Sequence, residues 1–553
     1  MSSTGRSRRF ERVADVVSTG AQAAKVFAGA GLVTPIRPDR GAKALAAVAK
    51  FGQSPAGGYA AAAALEPDRA AIIDERGTLT FAEVEERTTR LANALARRGI
   101  SEGDGVALMM RNHRGFVETV IALSKLGADG LMLNTAFAGP QLTEVVEREG
   151  PEAVIHDAEF TDLLADALQD RTRYVAWTDD DTDTGDVETL EQLIEDGAPT
   201  ALSKPGRHGR TTILTSGTTG TPKGATRGGP TIGAAVSILS AIPLRARERV
   251  FVVAPLFHQW GFAHLLLALL LRSTLVLRRK FKPEETLKVV EEERVACLPM
   301  VPVMCRKLLD LDEETRSKYD TSTLRTVPVS GSALPGDLAI DFMDAFGDVL
   351  YNLYGSTEVA WAAIASPRDL REAPGTAGPP PHGTKLEILG DDDQPLPPGE
   401  TGRIFVGNDM LFEGYTGGGS KDVVRGLMAT GDVGHLDEEG RLFVEGRDDD
   451  MIVSGGENVF PQEVEDTLAR HEAVADVAVV GVEDDEWGQR LKAYVVKEGD
   501  VDEKTLKQHV KEQLAGYKVP REIVFLDELP RNPAGKVLKR ELDGDREGDE
   551  AHA

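Results

Sequence analysis

Cysteine is nearly absent from this chain of 553 residues, which contains only Cys297 and Cys305. Two cysteines cannot form a disulfide framework, so we expect buried thiols in a reducing compartment. Long apolar runs are also missing, because the longest one, Gly261–Leu271, is about half as long as a membrane-crossing helix. Glu11 and Asp15 interrupt the segment after the basic N-terminus, which argues against a secretion signal. These absences predict a soluble, cytoplasmic protein.

Positive charge is scarce in the chain as a whole. Lys plus Arg number 63 and Asp plus Glu number 90, so the formal net charge is −27. A surface this acidic repels phosphate backbones, and we do not expect nucleic acid as a partner. Any anionic ligand must be held by local donors against this field. Apolar residues make up 41% and charged residues 28% of the chain, which is typical of a globular protein.

A regular alternation of strand and helix patterns begins near residue 65. Thr80 and Glu83 form a capping box at the start of an amphipathic helix pattern. Buried strand patterns recur at Val106–Met110, Val154–His156 and Val250–Ala254. The helix pattern Phe116–Leu126 lies between the first two, and Gly127 is predicted to end it. Strands that alternate with helices predict an α/β fold with parallel-rich sheets.

Changes in composition mark the domain boundaries. Short apolar strands separated by Gly and Pro begin near Pro374 and predict a small β-rich subdomain. Strand and helix patterns mix again after Gly446, as expected of a small α+β domain. The predicted division is a helical N-terminal extension (1–64), a large domain (65–446) whose β-rich subdomain spans about 374–446, a C-terminal domain (447–542) and a disordered acidic tail (543–553).

The N-terminal extension is rich in Ala, Gly and Val with scattered Arg, which is typical of weakly amphipathic helices. Two interpretations remain open at this point. The extension is either a packing appendage of the large domain or a weak, peripheral contact with a membrane surface.

The strongest local signal is a loop rich in Gly and Thr that follows the predicted strand Thr212–Leu214. The loop consists of Thr215, Ser216, Gly217, Thr218, Thr219, Gly220, Thr221, Pro222, Lys223 and Gly224. Glycines let backbone N–H groups approach a ligand, and the hydroxyls and the ammonium add donors, so we predict that this loop binds phosphate oxygens. It does not match the Walker pattern, in which Lys directly follows Gly and precedes Ser or Thr.

This loop resembles the phosphate loop of the adenylate-forming enzymes, the superfamily of acyl-CoA synthetases, peptide-synthetase adenylation domains and luciferases. Further motifs follow in the family's order between about residues 65 and 542, and the chain looks most like the bacterial long-chain fatty-acid-CoA ligases. The resemblance implies a large AMP-binding domain and a mobile C-terminal domain. It also implies ATP, Mg²⁺ and coenzyme A as the compounds used.

The implied nucleotide site draws on separate motifs. One motif would supply Asn352 at the adenine edge, Tyr354 stacked on adenine, the adjoining Gly355 and Ser356, Thr357 at the α-phosphate, and Glu358, which with Thr215 would hold Mg²⁺. A weaker match would place the backbone of Gly331, Ser332 and Ala333 along the adenine. Asp432 would accept hydrogen bonds from the ribose hydroxyls, and Arg447 would reach the ribose or the α-phosphate.

The C-terminal domain carries the remaining implied residues. Lys536 would bridge the attacking carboxylate and the α-phosphate, and Asp449 matches the family's hinge. The hairpin residues Gly455, Gly456 and Glu457 match the lining of the pantetheine tunnel. One domain cannot present Lys536 and this hairpin to the same site at once, so the resemblance implies a rotation between the two half-reactions.

The acid pocket of the resembling family lies beyond Pro255–Gly261. No Asp or Glu occurs from Pro255 to Leu271, which disfavours an amino-acid substrate and favours an apolar acid. His258 is implied near the substrate carboxylate, and a purely structural histidine is the alternative.

The resemblance therefore implies a fatty-acid-CoA ligase with two steps. A carboxylate and ATP give acyl-AMP and pyrophosphate, and the acyl group then passes to the thiol of coenzyme A. Three alternatives remain open: a CoA ligase for an aryl or other carboxylic acid, an acyl-AMP ligase that loads a carrier protein, and a non-catalytic binding module. The intact Glu358, Asp432 and Lys536 argue against the last alternative. The sequence does not indicate an oligomeric state.

Overall fold

The computed structural model describes most of the chain. The described residues are 20, 22–135, 137, 139–165, 167, 171–179, 184–215, 223–226, 232–356, 358–412, 414–415, 421–447, 452–454, 457–484, 488–514, 516–531 and 536–542. The predicted disordered tail, 543–553, lies outside them.

The strands in chain order are β1 (Ala70–Asp74), β2 (Gly77–Thr80), β3 (Gly105–Met109), β4 (Asp129–Met132), β5 (Ala153–Asp157), β6 (Thr172–Trp177), β7 (Thr211–Thr215), β8 (Lys223–Thr226), β9 (Arg249–Phe251), β10 (Thr274–Val276), β11 (Val327–Val329), β12 (Leu350–Tyr354), β13 (Ala363–Ala365), β14 (Lys385–Leu389), β15 (Gly402–Gly407), β16 (Gly414–Tyr415), β17 (Val423–Val424), β18 (Leu427–Leu436), β19 (Leu442–Arg447), β20 (Ile452–Ser454), β21 (Glu457–Val459), β22 (Val474–Asp484), β23 (Gly488–Lys497) and β24 (Glu522–Leu526).

The helices in chain order are α1 (Pro38–Phe51), α2 (Pro55–Leu65), α3 (Phe81–Arg97), α4 (Arg114–Leu126), α5 (Gly139–Glu149), α6 (Thr161–Leu164), α7 (Leu190–Asp196), α8 (Ile232–Ala241), α9 (Gln259–Leu270), α10 (Pro283–Glu292), α11 (Pro302–Leu309), α12 (Glu313–Ser317), α13 (Gly336–Phe346), α14 (Pro367–Glu372), α15 (Pro461–Ala469), α16 (Glu503–Gln513) and α17 (Lys539–Leu542).

Seven strands form the largest sheet, in the order β16-β8-β7-β4-β3-β5-β6. The pairs from β7 to β6 are parallel, whereas β8 and β16 run antiparallel to their neighbours. Leu108 of β3 belongs to one buried cluster and Met109 to another, so both faces of this sheet are covered. Burial on both faces is what parallel strands require. The predicted α/β fold with parallel-rich sheets is confirmed.

Local sequence signals set the ends of the helices around this sheet. The capping box of Thr80 and Glu83 is present at the start of α3. Helix α4 ends at Gly127, whose φ of 73° lies in the left-handed region that a glycine adopts without strain.

A second sheet, β2-β1-β10-β9, continues into the sheet β11-β12-β13. Single parallel bridges from Cys297 to Val250 and to Thr326 connect the two. Cys297 and Cys305 are both buried free thiols, as predicted. This continuous layer carries β12, whose last residue is Tyr354, to the edge of the candidate site.

One predicted strand is shorter in the structure. The apolar pattern predicted a strand over Val250–Ala254, but β9 ends at Phe251. The side chain of Asn112 instead takes the carbonyl groups of Val252 and Ala254 as hydrogen-bond acceptors. The chain therefore leaves the sheet early, and Asn112 holds the buried segment that leads to His258.

The predicted β-rich subdomain is an antiparallel sheet of five strands, β14-β15-β18-β17 with β19 on the other edge of β18. The register of β18 and β19 places Asp432 directly opposite Arg447. Residues this close across an antiparallel pair interact through their side chains.

The C-terminal domain has the predicted α+β composition. Its sheet has the order β21-β20-β23-β22, and β24 runs parallel to β23. Helices α15 and α16 pack onto this sheet through Val464, Leu468, Leu506 and Val510, which are fully buried.

The described part of the N-terminal extension is packed on the large domain. Tyr59 and Ala62 of α2 are buried in the same cluster as the strands of the two large sheets. Helix α1 packs against α2. In the described part of the chain, no helix combines the length and the apolar composition that a membrane span requires.

Candidate nucleotide and acid site

The carboxylate of Asp432 lies at the centre of the candidate nucleotide site. The Tyr354 hydroxyl donates a hydrogen bond of 2.5 Å to Oδ2 of Asp432. The Arg447 Nε atom lies 3.7 Å from Oδ1, and the Asp432 side chain is only 13% exposed. The structure thus brings together three residues that belong to three separate motifs in the sequence.

Lys421 is a second cation at this site, and it was not predicted from the sequence. Gly431 has a φ of +85°, and a Cβ atom on it would lie 2.8 Å from the Lys421 Nζ atom and 3.6 Å from an Arg447 nitrogen. Glycine therefore provides both the left-handed conformation and the space for these cations. The only signal in the sequence was a single lysine before the Thr-Gly-Asp turn.

Lys536 of the C-terminal domain lies close enough to the same carboxylate for its charge to act on it. Its positive charge lowers the pKa of Asp432, as do the charges of Arg447 and Lys421. Helix α15 of the same domain contacts β19 of the β-rich subdomain. The described orientation of the two domains is therefore the one that turns Lys536 toward the nucleotide site.

Burial is the largest cause of the pKa shifts of Asp432 and Tyr354. It raises the pKa of Asp432 above its ordinary value, although the hydrogen bond from Tyr354 and the nearby cations oppose the shift. Burial and the charge of Asp432 raise the pKa of Tyr354 well above its ordinary value. Tyr354 therefore stays protonated and donates, and the Asp432 carboxyl group keeps further lone pairs for a ligand.

The predicted adenine wall is formed by the ends of β11 and β12. Asn352 is buried, and its Nδ2 atom donates to the Thr376 carbonyl at 3.3 Å. Gly331, Ser332 and Ala333 follow β11 and are exposed, as the wall of an open cleft must be. Gly355 directly follows β12, and a Cβ atom there would lie 2.2 Å from the Ala360 carbonyl oxygen, so only glycine fits this turn.

Glu358 is held by its backbone. Its N–H donates to the Ser356 hydroxyl at 3.2 Å, and its carbonyl accepts from the Phe412 N–H at 2.8 Å. One carboxylate beside phosphates suits Mg²⁺, which takes one or two carboxylates and completes its shell with phosphate oxygens and water. Within the described residues, no group of three or more His, Cys, Asp or Glu could hold a metal ion without such help.

Several predicted site residues lie outside the described residues, and their roles stay predictions. These are Ser216, Gly217, Thr218, Thr219, Gly220, Thr357, Asp449, Gly455 and Gly456. The backbone positions of three others are described: Thr215 ends β7, Lys223 begins β8 and Glu457 begins β21.

The candidate acid pocket is built by the start of α9. Burial lowers the pKa of His258 and of His264 to about 4, so both rings are neutral at pH 7. No hydrogen-bond partner among the described residues reaches the buried Nε2 atom of either ring. The Trp260 indole donates to the Met300 carbonyl at 2.9 Å, and its ring meets the His264 ring edge-on at 4.3 Å. This wall is neutral and largely aromatic.

Asn112 holds the segment that leads into α9. Its Nδ2 atom donates to the carbonyls of Val252 and Ala254 at 3.0 and 2.9 Å, and its Oδ1 atom accepts from the Leu256 N–H at 2.8 Å. These three bonds fix the backbone two residues before His258. The sequence contained no signal for this role, because it depends on contact between residues 140 or more positions apart.

The Asp432→Asn substitution separates nucleotide binding from stability. We expect a loss of about 10–100-fold in ATP affinity, because a hydrogen bond to a charged group contributes about 1.5–3 kcal/mol. Folding raises the pKa of Asp432, so the ionised carboxylate destabilises the folded state at pH values above its unfolded-state pKa. The substitution removes this cost, so the melting temperature at pH 7.5 should stay equal or rise. Calorimetric titration and thermal unfolding measure the two effects.

Asp437→Asn is the matched control. Asp437 directly follows β18, and its carboxylate pairs with Arg441 at 2.7 Å. This substitution should leave ATP affinity unchanged. A large drop in the melting temperature of the Asp432 variant, with ATP affinity retained, would give Asp432 a purely structural role.

The Asn112→Ala substitution tests whether this side chain positions the acid pocket. We expect the KM for the acid to rise about tenfold while the KM for ATP stays within twofold, because the freed backbone leads to His258 and not to Asp432. Asn93→Ala is the matched control: the Asn93 side chain also makes three hydrogen bonds to the backbone, all donated by its Nδ2 atom, but they lie between α3 and residues 198–200. Steady-state kinetics well below each melting temperature distinguish the cases, and equal KM changes for acid and ATP would contradict a positioning role.

Family models cover both domains of the chain. The model of the AMP-binding enzyme family matches residues 59–416, and the model of the AMP-binding enzyme C-terminal domain matches residues 463–536. Feruloyl-CoA synthase from Amycolatopsis sp is 35% identical over 489 residues, which cover 87% of this chain and 96% of that protein. Indoleacetate–CoA ligase from Aromatoleum aromaticum is 35% identical over 497 residues, with the same coverage of 87% and 96%.

Solved structures share the fold along nearly their whole length. The o-succinylbenzoate CoA synthetase from Bacillus subtilis, in complex with its acyl-adenylate intermediate, has a TM-score of 0.76 at 29% identity and covers 89% of this chain and 99% of its own. An anthranilate CoA ligase in complex with anthranoyl-AMP has a TM-score of 0.79 at 25% identity, with coverage of 88% and 96%. The chain with the site around Asp432 therefore belongs to the AMP-binding enzyme family, within the adenylate-forming superfamily.

Proposed function

We propose that this protein is an ATP-dependent, AMP-forming CoA ligase for an aromatic carboxylic acid. The observation that carries the proposal is the similarity of the chain to CoA ligases whose names specify aromatic acids, and the neutral, largely aromatic side chains at the start of α9 agree with it. From the sequence alone, a fatty-acid-CoA ligase was the main prediction and an aryl-acid CoA ligase was one of the alternatives.

The first half-reaction joins two anions. A carboxylate oxygen of the acid forms a bond to the α-phosphorus of ATP, the bond to the β-phosphate oxygen breaks, and pyrophosphate leaves. Asp432 holds the ribose, and Arg447 and Lys536 bring positive charge to the phosphate. Such fixed charges stabilise the developing negative charge without reorganising at the moment of reaction. When bound, Mg²⁺ on Glu358 would neutralise further phosphate charge.

The second half-reaction uses the acyl-AMP as the electrophile. The sulfur of coenzyme A forms a bond to the acyl carbon, the bond to the AMP oxygen breaks, and AMP leaves while the thiol proton passes to solvent. Strands β20 and β21 form the hairpin whose tip is assigned to the pantetheine arm. Lys536 lies close to Asp432 in the described orientation, so thioester formation requires the C-terminal domain to turn, with Asp449 as the proposed hinge.

Two observations favour an aromatic acid over a fatty acid. Trp260 is partly exposed and its ring lies edge-on to the buried, neutral His264, and a partly exposed indole favours contact with another ring. The relatives named above act, by their names, on ferulate, indoleacetate, o-succinylbenzoate and anthranilate. A fatty acid remains the sequence-based prediction, without support among these relatives.

The substrate class is tested by a panel of acids with ATP, Mg²⁺ and free coenzyme A. Ferulate, indoleacetate, 2-succinylbenzoate and anthranilate represent aromatic acids, and octanoate and palmitate represent aliphatic ones. We expect release of AMP and pyrophosphate that depends on coenzyme A, with kcat/KM at least tenfold higher for the best aromatic acid. A preference for octanoate or palmitate would restore the fatty-acid interpretation. Thioester formation only on a carrier protein would reject the ligase as proposed.

The Lys536→Ala substitution tests the division of labour between the half-reactions. We expect acyl-AMP formation to fall about 10²–10³-fold, as on removal of one preorganised charge-stabilising donor. Thioester formation from supplied acyl-AMP should stay within a few-fold, because that step does not need this charge on the phosphate. The control is Lys539→Ala, since Lys539 pairs with Glu465 inside the C-terminal domain at 2.7 Å. Equal losses in both half-reactions would contradict the role assigned to Lys536.

A further inference from the structure

Exposed apolar side chains are concentrated in the N-terminal segment. Of the six large hydrophobic side chains that are exposed among the described residues, four lie there: Val33 at 70%, Ile36 at 48%, Leu45 at 74% and Val48 at 41% exposure. The sequence analysis left a membrane contact of this segment open, and the proposed reaction does not use it.

Helix α1 divides into three sectors around its axis. Ala44 and Phe51 are buried and face α2, and the Arg40 guanidinium donates to the Leu65 carbonyl at 2.9 Å. At 100° per residue, Leu45 and Val48 fall together on one flank of this buried face. Leu45 and Val48 therefore remain exposed because α2 covers a different side of the helix, and α1 does not need to unfold to present them.

The turn before α1 extends this apolar flank. The Cγ2 atom of Ile36 lies 3.4 Å from where a Cβ atom of Gly41 would be. Gly41, Leu45 and Val48 are spaced i, i+4, i+7 along one row of the helix. Ile36, Leu45 and Val48 therefore form one apolar strip on the surface.

Positive charge lies on the other flank of the same helix. Lys43 is exposed and Lys50 is partly exposed, and both fall on the side away from Leu45. The contrast with the remainder of the chain is large. The first 64 residues contain nine Lys or Arg against three Asp or Glu, a net charge of +6, whereas residues 65–553 contain 54 against 87, a net charge of −33.

We propose that α1 and the turn before it dock on an anionic phospholipid bilayer, with α1 lying in the plane of the interface. An apolar strip on one flank and basic residues on the opposite flank are the pattern of a helix that inserts among head groups without spanning the membrane. The net charge of −33 on residues 65–553 repels an anionic surface, so this segment is the part of the molecule that can approach it. Helix α2 joins α1 to α9. The docking face and the candidate acid pocket therefore lie on connected helices.

A bilayer fits this surface better than a second copy of the chain. A symmetric dimer would bring the same patch of both copies together, and two segments of charge +6 would repel each other. Anionic lipid provides opposite charge and an apolar interior at the same place.

The test is co-sedimentation of the full-length protein with vesicles. Vesicles of 30% phosphatidylglycerol in phosphatidylcholine should bind the protein at least tenfold more tightly than pure phosphatidylcholine vesicles, and 0.5 M salt should remove most of the difference. The Leu45→Ser/Val48→Ser variant should lose binding about tenfold, and Lys43→Glu/Lys50→Glu should lose preference for the anionic vesicles. Activity with a water-soluble acid should be unchanged in both.

The matched control is Val423→Ser, which removes an exposed hydrophobic side chain of the β-rich subdomain that is 59% exposed. It should bind vesicles like the wild type. Equal binding to both vesicle types, binding to neither, or equal loss in the control would overturn the proposal. A dimer in sedimentation velocity that the Leu45→Ser/Val48→Ser variant dissociates would assign the strip to a second copy instead.

Discussion

A buried carboxylate surrounded by cations is the interaction on which the candidate site depends. Asp432 is withdrawn from water, which raises its pKa, and it is compensated by the Tyr354 hydroxyl and by the charges of Arg447, Lys536 and Lys421. A chain with a net charge of −27 has to bind a polyanion at such a local cationic centre, because its overall field repels the ligand. Tyr354 uses one of about four lone-pair sites of the carboxylate, which leaves acceptors for a ribose diol.

The same carboxylate links the two domains. Arg447 and Lys421 belong to the β-rich subdomain side of the cleft, whereas Lys536 comes from the C-terminal domain. Because these cations act on one carboxylate, we expect the position of the C-terminal domain to respond to the charge of a bound nucleotide. Phosphate oxygens would offer Lys536 a stronger partner than a carboxylate already bonded to Tyr354. Release of pyrophosphate would weaken that attraction, which is a physical reason for the domain to turn after the first half-reaction.

Much of this arrangement could be predicted from local sequence. Buried strand patterns, the capping box at Thr80 and the helix stop at Gly127 depend on neighbouring residues, and the structure confirms them. The motif residues Tyr354, Asp432 and Arg447 also meet, as the family resemblance implied. Lys421 escaped prediction because a single lysine near the Thr-Gly-Asp turn forms no pattern, and Asn112 escaped it because its role arises from contacts with residues 140 or more positions away. The strand expected to reach Ala254 ends early for the same reason, since hydropathy cannot reveal a side chain that competes for its carbonyls.

The substrate was the least predictable part. The absence of acidic residues from Pro255 to Leu271 disfavours a substrate with an ammonium group but does not distinguish a ring from an alkyl chain. That distinction depends on the shape and polarity of the wall around Trp260, and the low pKa of His258 and His264 could be recognised only once their burial was known.

A crystal structure with a non-hydrolysable acyl-adenylate analogue would show directly whether Asp432 holds the nucleotide. We expect both ribose hydroxyls within about 3 Å of the Asp432 carboxylate and the adenine against the ring of Tyr354. A nucleotide bound elsewhere, with Asp432 still paired only to Tyr354 and the surrounding cations, would contradict this expectation.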